Sequence, residues 1–132
     1  MSICVLANQY NDFLHKVGCY DQDSFAEIQR ICSPSFRIIA NGAKLVSGRD
    51  KLQKQLEDIR ELAGGWHVEV KQQLPTADSQ HCVIRYHWVT KAIGTLDIMA
   101  LFTSVDGELI EEVDVVFYKI PEVANGSSTF ME

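Results

Sequence analysis

Apolar positions recur at helical spacing in the first half of the chain and alternate as in strands in the second half. Residues 3–18 carry one apolar stripe that ends in a glycine, which predicts a first helix. A second, shorter helix is predicted to follow a capping-box pattern of Ser24 and Glu27 and to end before the next proline. A third stripe over residues 47–63 predicts a helix that Gly64 terminates.

Strand signals surround and follow the third helix. Residues 35–46 read as two short strands joined at Asn41-Gly42, a hairpin signal. Asp106-Gly107 predicts a second tight hairpin turn. The period-2 segments that predict a four-stranded antiparallel meander are 66–71, 81–90, 95–105 and 108–120. We expect an α+β fold, a cone-shaped barrel in which a curved antiparallel sheet wraps around three N-terminal helices.

Composition limits the function classes. With 132 residues, one domain over 1–121 is expected, and the Gly/Ser-rich segment 122–132 is predicted to be a flexible tail. A net charge of -6 with scattered basic residues disfavours nucleic-acid partners. No apolar run is long enough to span a membrane, and the N-terminus lacks a secretory-signal pattern. Unclustered cysteines indicate a reducing, cytoplasmic setting.

No cofactor or metal is predicted from the sequence. It lacks a Gly-rich phosphate loop and a flavin or nicotinamide fingerprint, and none of its cysteines forms a Cys-x-x-Cys pair. His81 and His87 lie six residues apart, roughly 20 Å along a strand, so they are not expected to share a metal ion.

Four stretches in a fixed order carry a family resemblance: 32–42, 46–52, 65–70 and 106–114. The chain resembles the nuclear transport factor 2-like superfamily, in its SnoaL-like branch. The resemblance implies a cone-shaped, cystatin-like α+β barrel that commonly dimerises through its outer sheet face. Members include ketosteroid isomerase and polyketide cyclases, and others have no catalytic activity, so the resemblance does not give a function.

The acids of ketosteroid isomerase have no counterparts in this sequence. The stretch 36–41, where the resemblance would place the base, has no carboxylate, and Met99 stands near the position of the protonated acid. The SnoaL-like cyclases are more similar because they carry an acid on the last long strand. Asp114 is the residue that matches it.

The orientation of the last strand decides whether Asp114 lies in a pocket. If Val113, Val115 and Phe117 form an apolar outer face covered in a dimer, Asp114 points into the cone. A carboxylate in such a pocket has a raised pKa and can act as a general acid or base. The alternative is that Val113, Val115 and Phe117 belong to the core and Asp114 is solvated.

Two other residues are candidates for the chemistry. Asp97 is either a further pocket acid or a residue near the strand end, and Tyr10 either donates to a bound carbonyl or packs in the core. The catalytic candidates are therefore Asp114, Asp97 and Tyr10. Six further residues are predicted to line the pocket: Glu112, Met99, Tyr86, Trp88, Trp66 and Phe13. Glu112 is either a second pocket carboxylate coupled to Asp114 or part of a hydrated rim.

Two functions remain open from the sequence. One is an isomerase, cyclase or dehydratase type of enzyme that uses a pocket carboxylate on a small apolar organic substrate. The other is a non-catalytic module of the same fold that binds a ligand or forms a homodimer through the outer sheet face.

Overall fold

The computed structural model describes residues 2–122. The helices are α1 (Ile3–Gly18), α2 (Ile28–Ile31) and α3 (Leu52–Ala63). The strands are β1 (Cys32–Ala40), β2 (Ala43–Ser47), β3 (Trp66–Pro75), β4 (His81–Thr90), β5 (Thr95–Thr103) and β6 (Ile110–Lys119). The predicted tail at 122–132 lies outside the described residues except for Glu122.

All six strands join one mixed sheet in the order β2-β1-β6-β5-β4-β3. The α+β prediction is confirmed, but the sheet is open and is not purely antiparallel. β1 pairs with β6 in parallel, with Ile38 opposite Val113 and Ala40 opposite Val115. The N-terminal hairpin therefore extends the meander, and β6 becomes an interior strand bonded on both edges.

The two faces of the sheet differ because the helices of residues 2–122 all pack on the same one. We call this covered side the inner face and the opposite side the outer face. Tyr10 of α1 packs its ring against Phe36 of β1 and Phe102 of β5, with centroids 5.9 and 5.6 Å apart. Alternation along β6 places Val113 on the inner face and Glu112 on the outer face.

Two local predictions differ from the structure. Residues Gln22–Glu27 form a 3₁₀ helix before the four-residue α2, and Asp21, rather than Ser24, accepts a backbone N–H there. The connection from β5 to β6 is longer than a tight hairpin because Asp106 accepts backbone N–H groups from Glu108 and Leu109. An aspartate side chain can organise such a loop without a two-residue turn.

The other helix and hairpin signals are confirmed. Asn41 and Gly42 have φ values of 48° and 85°, as expected for a two-residue turn between β1 and β2. Gly64 ends α3 in the left-handed region, and its N–H donates to the carbonyl of Arg60. In the described part of the chain, no helix has the length and apolarity needed to cross a membrane.

The end of α1 lies so close to the sheet that there is no room for a Cβ atom at Gly18. A Cβ added to Gly18 would collide with the backbone carbonyl and the indole ring of Trp66. The Trp66 indole Nε1–H donates to the Leu14 carbonyl at 2.9 Å, which ties β3 to the same helix. Gly18 therefore sets the distance between α1 and the sheet.

We expect Gly18→Ala to lower the free energy of unfolding by about 1–3 kcal/mol, because the added methyl group must displace buried Trp66 or the helix itself. Urea unfolding followed by circular dichroism measures this change. Gln9→Ala, at an exposed position of the same helix, is the matched control and should change stability by less than about 0.5 kcal/mol. Equal stability of Gly18→Ala and wild type would contradict the close approach.

Candidate functional site

A cavity of about 310 Å³ lies between the helices and the inner face of the sheet. Helix α1 contributes Tyr10 and Leu14, and α3 contributes Gln55, Leu56 and Ile59. The strands and the β4–β5 connection supply the rest of the wall: Ile38, Ala40, Leu45, Tyr86, Trp88, Ile93, Leu96, Ile98, Val113, Val115 and Phe117. The wall is therefore almost entirely apolar.

Exposed apolar side chains lie at the open side of this cavity. Leu45, Ile93 and Phe117 are 43%, 39% and 38% exposed, although each also contributes to the lining. They come from β2, the β4–β5 connection and the end of β6. The entrance is thus as apolar as the interior, which favours ligands that shed water readily.

Two buried phenols are the main polar groups in the cavity. Tyr10 and Tyr86 are each 2% exposed. Burial raises the pKa of Tyr10, with smaller contributions from Cys32 and Tyr86, and burial alone raises the pKa of Tyr86. Both phenols therefore keep their protons at neutral pH and can donate hydrogen bonds.

Neither phenol hydroxyl is engaged in a hydrogen bond within the described part of the protein. Among residues 2–122, no hydrogen bond from the Tyr10 or Tyr86 hydroxyl is found, although both rings are buried. Neither hydroxyl is among the fully buried polar atoms that lack a partner, so both are open to the cavity and can donate to a ligand acceptor or to water. The pair therefore provides two donors on an otherwise apolar wall.

A stacked pair of tryptophans forms one wall. The rings of Trp66 and Trp88 lie 4.4 Å apart at an interplanar angle of 7°. Trp88 lines the cavity, whereas Trp66 lies behind it and is fixed by its bond to Leu14. The Trp88 Nε1–H is buried and has no hydrogen-bond partner in the described residues. This N–H is closed off from the cavity space, so the two phenols are the donors that the cavity offers to a ligand.

The leading sequence candidate, Asp114, lies on the other side of the sheet. Val113, Val115 and Phe117 line the cavity, so the first of the two predicted orientations, in which they form the outer face, is wrong. Asp114 alternates with them and pairs with Leu101 on β5, on the outer face. The physical reason is that helices cover the apolar side of β6, leaving its acids on the uncovered side.

Glu112 and Met99, which were predicted to line the pocket, also lie outside the cavity. Glu112 accepts a hydrogen bond from Arg37 Nε at 2.6 Å, in a pair that is partly exposed. Met99 is 45% exposed and lies opposite Val116 on the outer face. Of the other predicted lining residues, Tyr86 and Trp88 line the cavity, whereas Trp66 and Phe13 support it from behind.

Asp97 is buried in an outer polar network, which consists of Asp97, Arg85, Tyr118 and His87. Arg85 donates to both carboxylate oxygens of Asp97, at 3.0 and 2.8 Å, and the Tyr118 hydroxyl donates at 3.1 Å. His87 Nε2 lies 3.5 Å from the same carboxylate. The hydrogen bond from Arg85 is the largest cause that lowers the pKa of Asp97. Asp97 is therefore an ionised structural anchor in this geometry.

Sequence reasoning found Tyr10, Tyr86 and Trp88 but missed most of the apolar wall. The sequence signal for this wall is the alternation of Val113 and Val115 on β6, which is typical of the covered face of an interior strand.

In residues 2–122, no group of three His, Cys, Asp or Glu side chains is arranged to hold a metal ion.

Solved structures share this architecture at low sequence identity. A SnoaL-like family protein from Agrobacterium tumefaciens matches with a TM-score of 0.71 at 9% identity, covering 87% of this chain and 96% of that one. A nuclear transport factor 2-like protein of unknown function from Exiguobacterium matches with a TM-score of 0.70 at 15% identity, covering 87% and 99%. The chain has the nuclear transport factor 2-like fold.

Other comparisons agree with this nuclear transport factor 2-like assignment or give no match. A bacterial protein with a cystatin-like fold from Silicibacter pomeroyi matches with a TM-score of 0.54 at 13% identity, covering 71% of this chain and 64% of that one. No protein-family model matches the sequence. No curated protein matches it either. The fold predicted from the resemblance is therefore confirmed, and the function has to be argued from the site.

We expect Asp97→Asn to lower the free energy of unfolding at pH 7 by about 1–3 kcal/mol, because Arg85 loses its charged partner. The folded-state pKa of Asp97 is lowered, so its stabilisation is present above the unfolded pKa of about 4. It is lost as the pH falls from there through the folded-state pKa.

Urea unfolding at pH 7 and at pH 2.5 tests this linkage, since the wild type and Asp97→Asn should converge in acid. Asp58→Asn is the control, because Asp58 forms an exposed pair with Lys54 on α3, and exposed pairs contribute little to stability. A constant difference between wild type and Asp97→Asn at both pH values would show that Asp97 does not stabilise the fold through its charge.

Proposed function

We propose that this nuclear transport factor 2-like chain binds small, largely apolar organic molecules that carry a hydrogen-bond acceptor such as a carbonyl. The observation that carries the proposal is that the phenol side chains of Tyr10 and Tyr86 line an otherwise apolar cavity, with no protein acceptor for either hydroxyl among residues 2–122. The ligand's apolar part would contact the wall, and its acceptor would receive the phenol protons.

The size and lining of the cavity support a small ligand. About 310 Å³ is at the lower end of the range for small-molecule sites. Such sites are usually apolar with a few fixed polar groups, and the two phenols are those groups here. Tyr10 lies on α1 and Tyr86 on β4, so rigid elements position both donors.

The same lining favours binding over carboxylate chemistry. In the described residues, no Asp, Glu or His lines the cavity. Phenols with a raised pKa are poor bases at neutral pH, although they stabilise negative charge on an oxygen. Of the two functions left open by the sequence, the ligand-binding module therefore has more support than an enzyme that uses a pocket carboxylate.

A matched pair of probes tests the proposal: phenylcyclohexanone and phenylcyclohexane, which differ by one carbonyl group. We expect both to change the fluorescence of the two tryptophans, which stack at the cavity wall. The ketone should bind about fivefold more tightly, as one hydrogen bond predicts. Tyr86→Phe or Tyr10→Phe should reduce that preference.

Tyr20→Phe is the matched control, because Tyr20 is 58% exposed and stacks with Arg60 away from the cavity. It should leave both affinities unchanged. Ala40→Phe should weaken both probes by filling the cavity. Absence of binding by either probe, or an unchanged ketone preference in both phenol variants, would overturn the proposal.

We also propose that a second copy of this chain covers the outer face. Met99 and Val116 are neighbours at the middle of that face and are 45% and 57% exposed. The charges beside them are already paired within the chain, Arg85 with Asp97 and Arg37 with Glu112. Such a face can be buried in a symmetric dimer without leaving these charges unpaired.

We expect Val116→Lys to shift the protein from dimer to monomer at micromolar concentration, because the added charges would meet across a symmetric interface. Light scattering after size-exclusion chromatography measures the mass. Leu62→Lys, at a 74% exposed position on α3, is the control and should keep the wild-type mass. A monomeric wild type would remove the dimer proposal and leave ligand binding untouched.

A further inference from the structure

Two cysteines that are far apart in the sequence have their sulfur atoms in contact. Cys4 lies in the first turn of α1 and Cys82 at the start of β4, and their Sγ atoms are 2.7 Å apart. Both are free thiols. The other two cysteines, Cys19 and Cys32, form no such pair.

We propose that Cys4 and Cys82 form a redox-active pair that closes to a disulfide when a small-molecule disulfide such as oxidised glutathione is available. A disulfide bond is about 2.05 Å long, so the sulfur atoms need to move by well under 1 Å. The backbone elements that carry them are already packed together. The inference does not depend on the proposed ligand.

The order of the steps follows from exposure. Cys4 is partly exposed, whereas Cys82 is fully buried. The Cys4 thiolate attacks one sulfur of oxidised glutathione, forming a mixed disulfide and releasing one reduced glutathione. Cys82 then attacks the Cys4 sulfur and releases the second. Two protein thiols are oxidised, one glutathione disulfide is reduced, and the two thiol protons end on the glutathione sulfurs.

Burial makes the second step the slower one. Burial is the largest cause that raises the pKa of Cys82, and it still acts when Cys4 is held in the mixed disulfide. Little thiolate is therefore present at neutral pH, which slows attack on the mixed disulfide. Raising the pH should accelerate closure, since the population of Cys82 thiolate rises with each pH unit.

Closure would connect α1 to β4 covalently across 77 intervening residues (5–81). A cross-link around so long a segment restricts the unfolded chain and raises the midpoint of thermal unfolding. Tyr10 lies six residues after Cys4 on the same helix, and Tyr86 lies four residues after Cys82 on β4. The bond would thus fix two elements that carry the cavity phenols.

Incubation of the full chain with oxidised glutathione at pH 8.5 tests the proposal by intact mass and tryptic mapping. We expect a loss of two hydrogens and a cross-linked species joining residues 1–16 to 72–85, which carry Cys4 and Cys82. The midpoint of thermal unfolding should rise by about 10 °C and return on reduction. Closure should be faster at pH 8.5 than at pH 7.

Cys19→Ser is the matched control, because Cys19 is exposed and should leave the cross-link intact. Cys4→Ser should lose both the cross-link and the gain in the midpoint. A glutathione adduct on Cys4 that never resolves, or disulfides that join other cysteines, would overturn the proposal. Circular dichroism should show the same fold for Cys4→Ser and the wild type, so that the loss of the cross-link reports on the thiol alone.

Discussion

The parallel pairing of β1 with β6 determines much of this structure. It makes β6 an interior strand with both edges bonded, so its side chains can only face the helices or the uncovered side. Because Val113 and Val115 line the cavity, the acids that alternate with them, Glu112 and Asp114, lie on the outer face. The register of β6 therefore places its apolar side chains in the cavity and its charged side chains on the opposite surface.

That separation gives the two faces different chemistry. On the outer face, carboxylates form ion pairs with arginines: Asp97 pairs with Arg85, and Glu112 pairs with Arg37. On the inner face, the polar groups are donors without charge, and burial keeps the phenols protonated. The cavity can therefore bind a hydrogen-bond acceptor without the desolvation free energy that a buried charge would cost.

The sequence predicted the elements better than their connections. Periodicity located α1, α3 and the four long strands because each buries one regular stripe. It did not show that β1 joins β6, since a parallel pairing between segments about 75 residues apart leaves no local signal. The orientation of β6 depends on that pairing, so the sequence left two faces open for Asp114, and the structure places it on the outer one.

The two cavity phenols come from elements that only tertiary packing brings together. Tyr10 depends on how closely α1 approaches the sheet, and that distance is set by Gly18 against Trp66. Tyr86 depends on the pairing of β4 with β3, where Trp66 stacks on Trp88. The tryptophan stack and the glycine contact therefore fix both donors relative to each other. Because Trp88 is also part of the wall, packing and recognition use the same side chains, and a change to this stack would alter both stability and ligand preference.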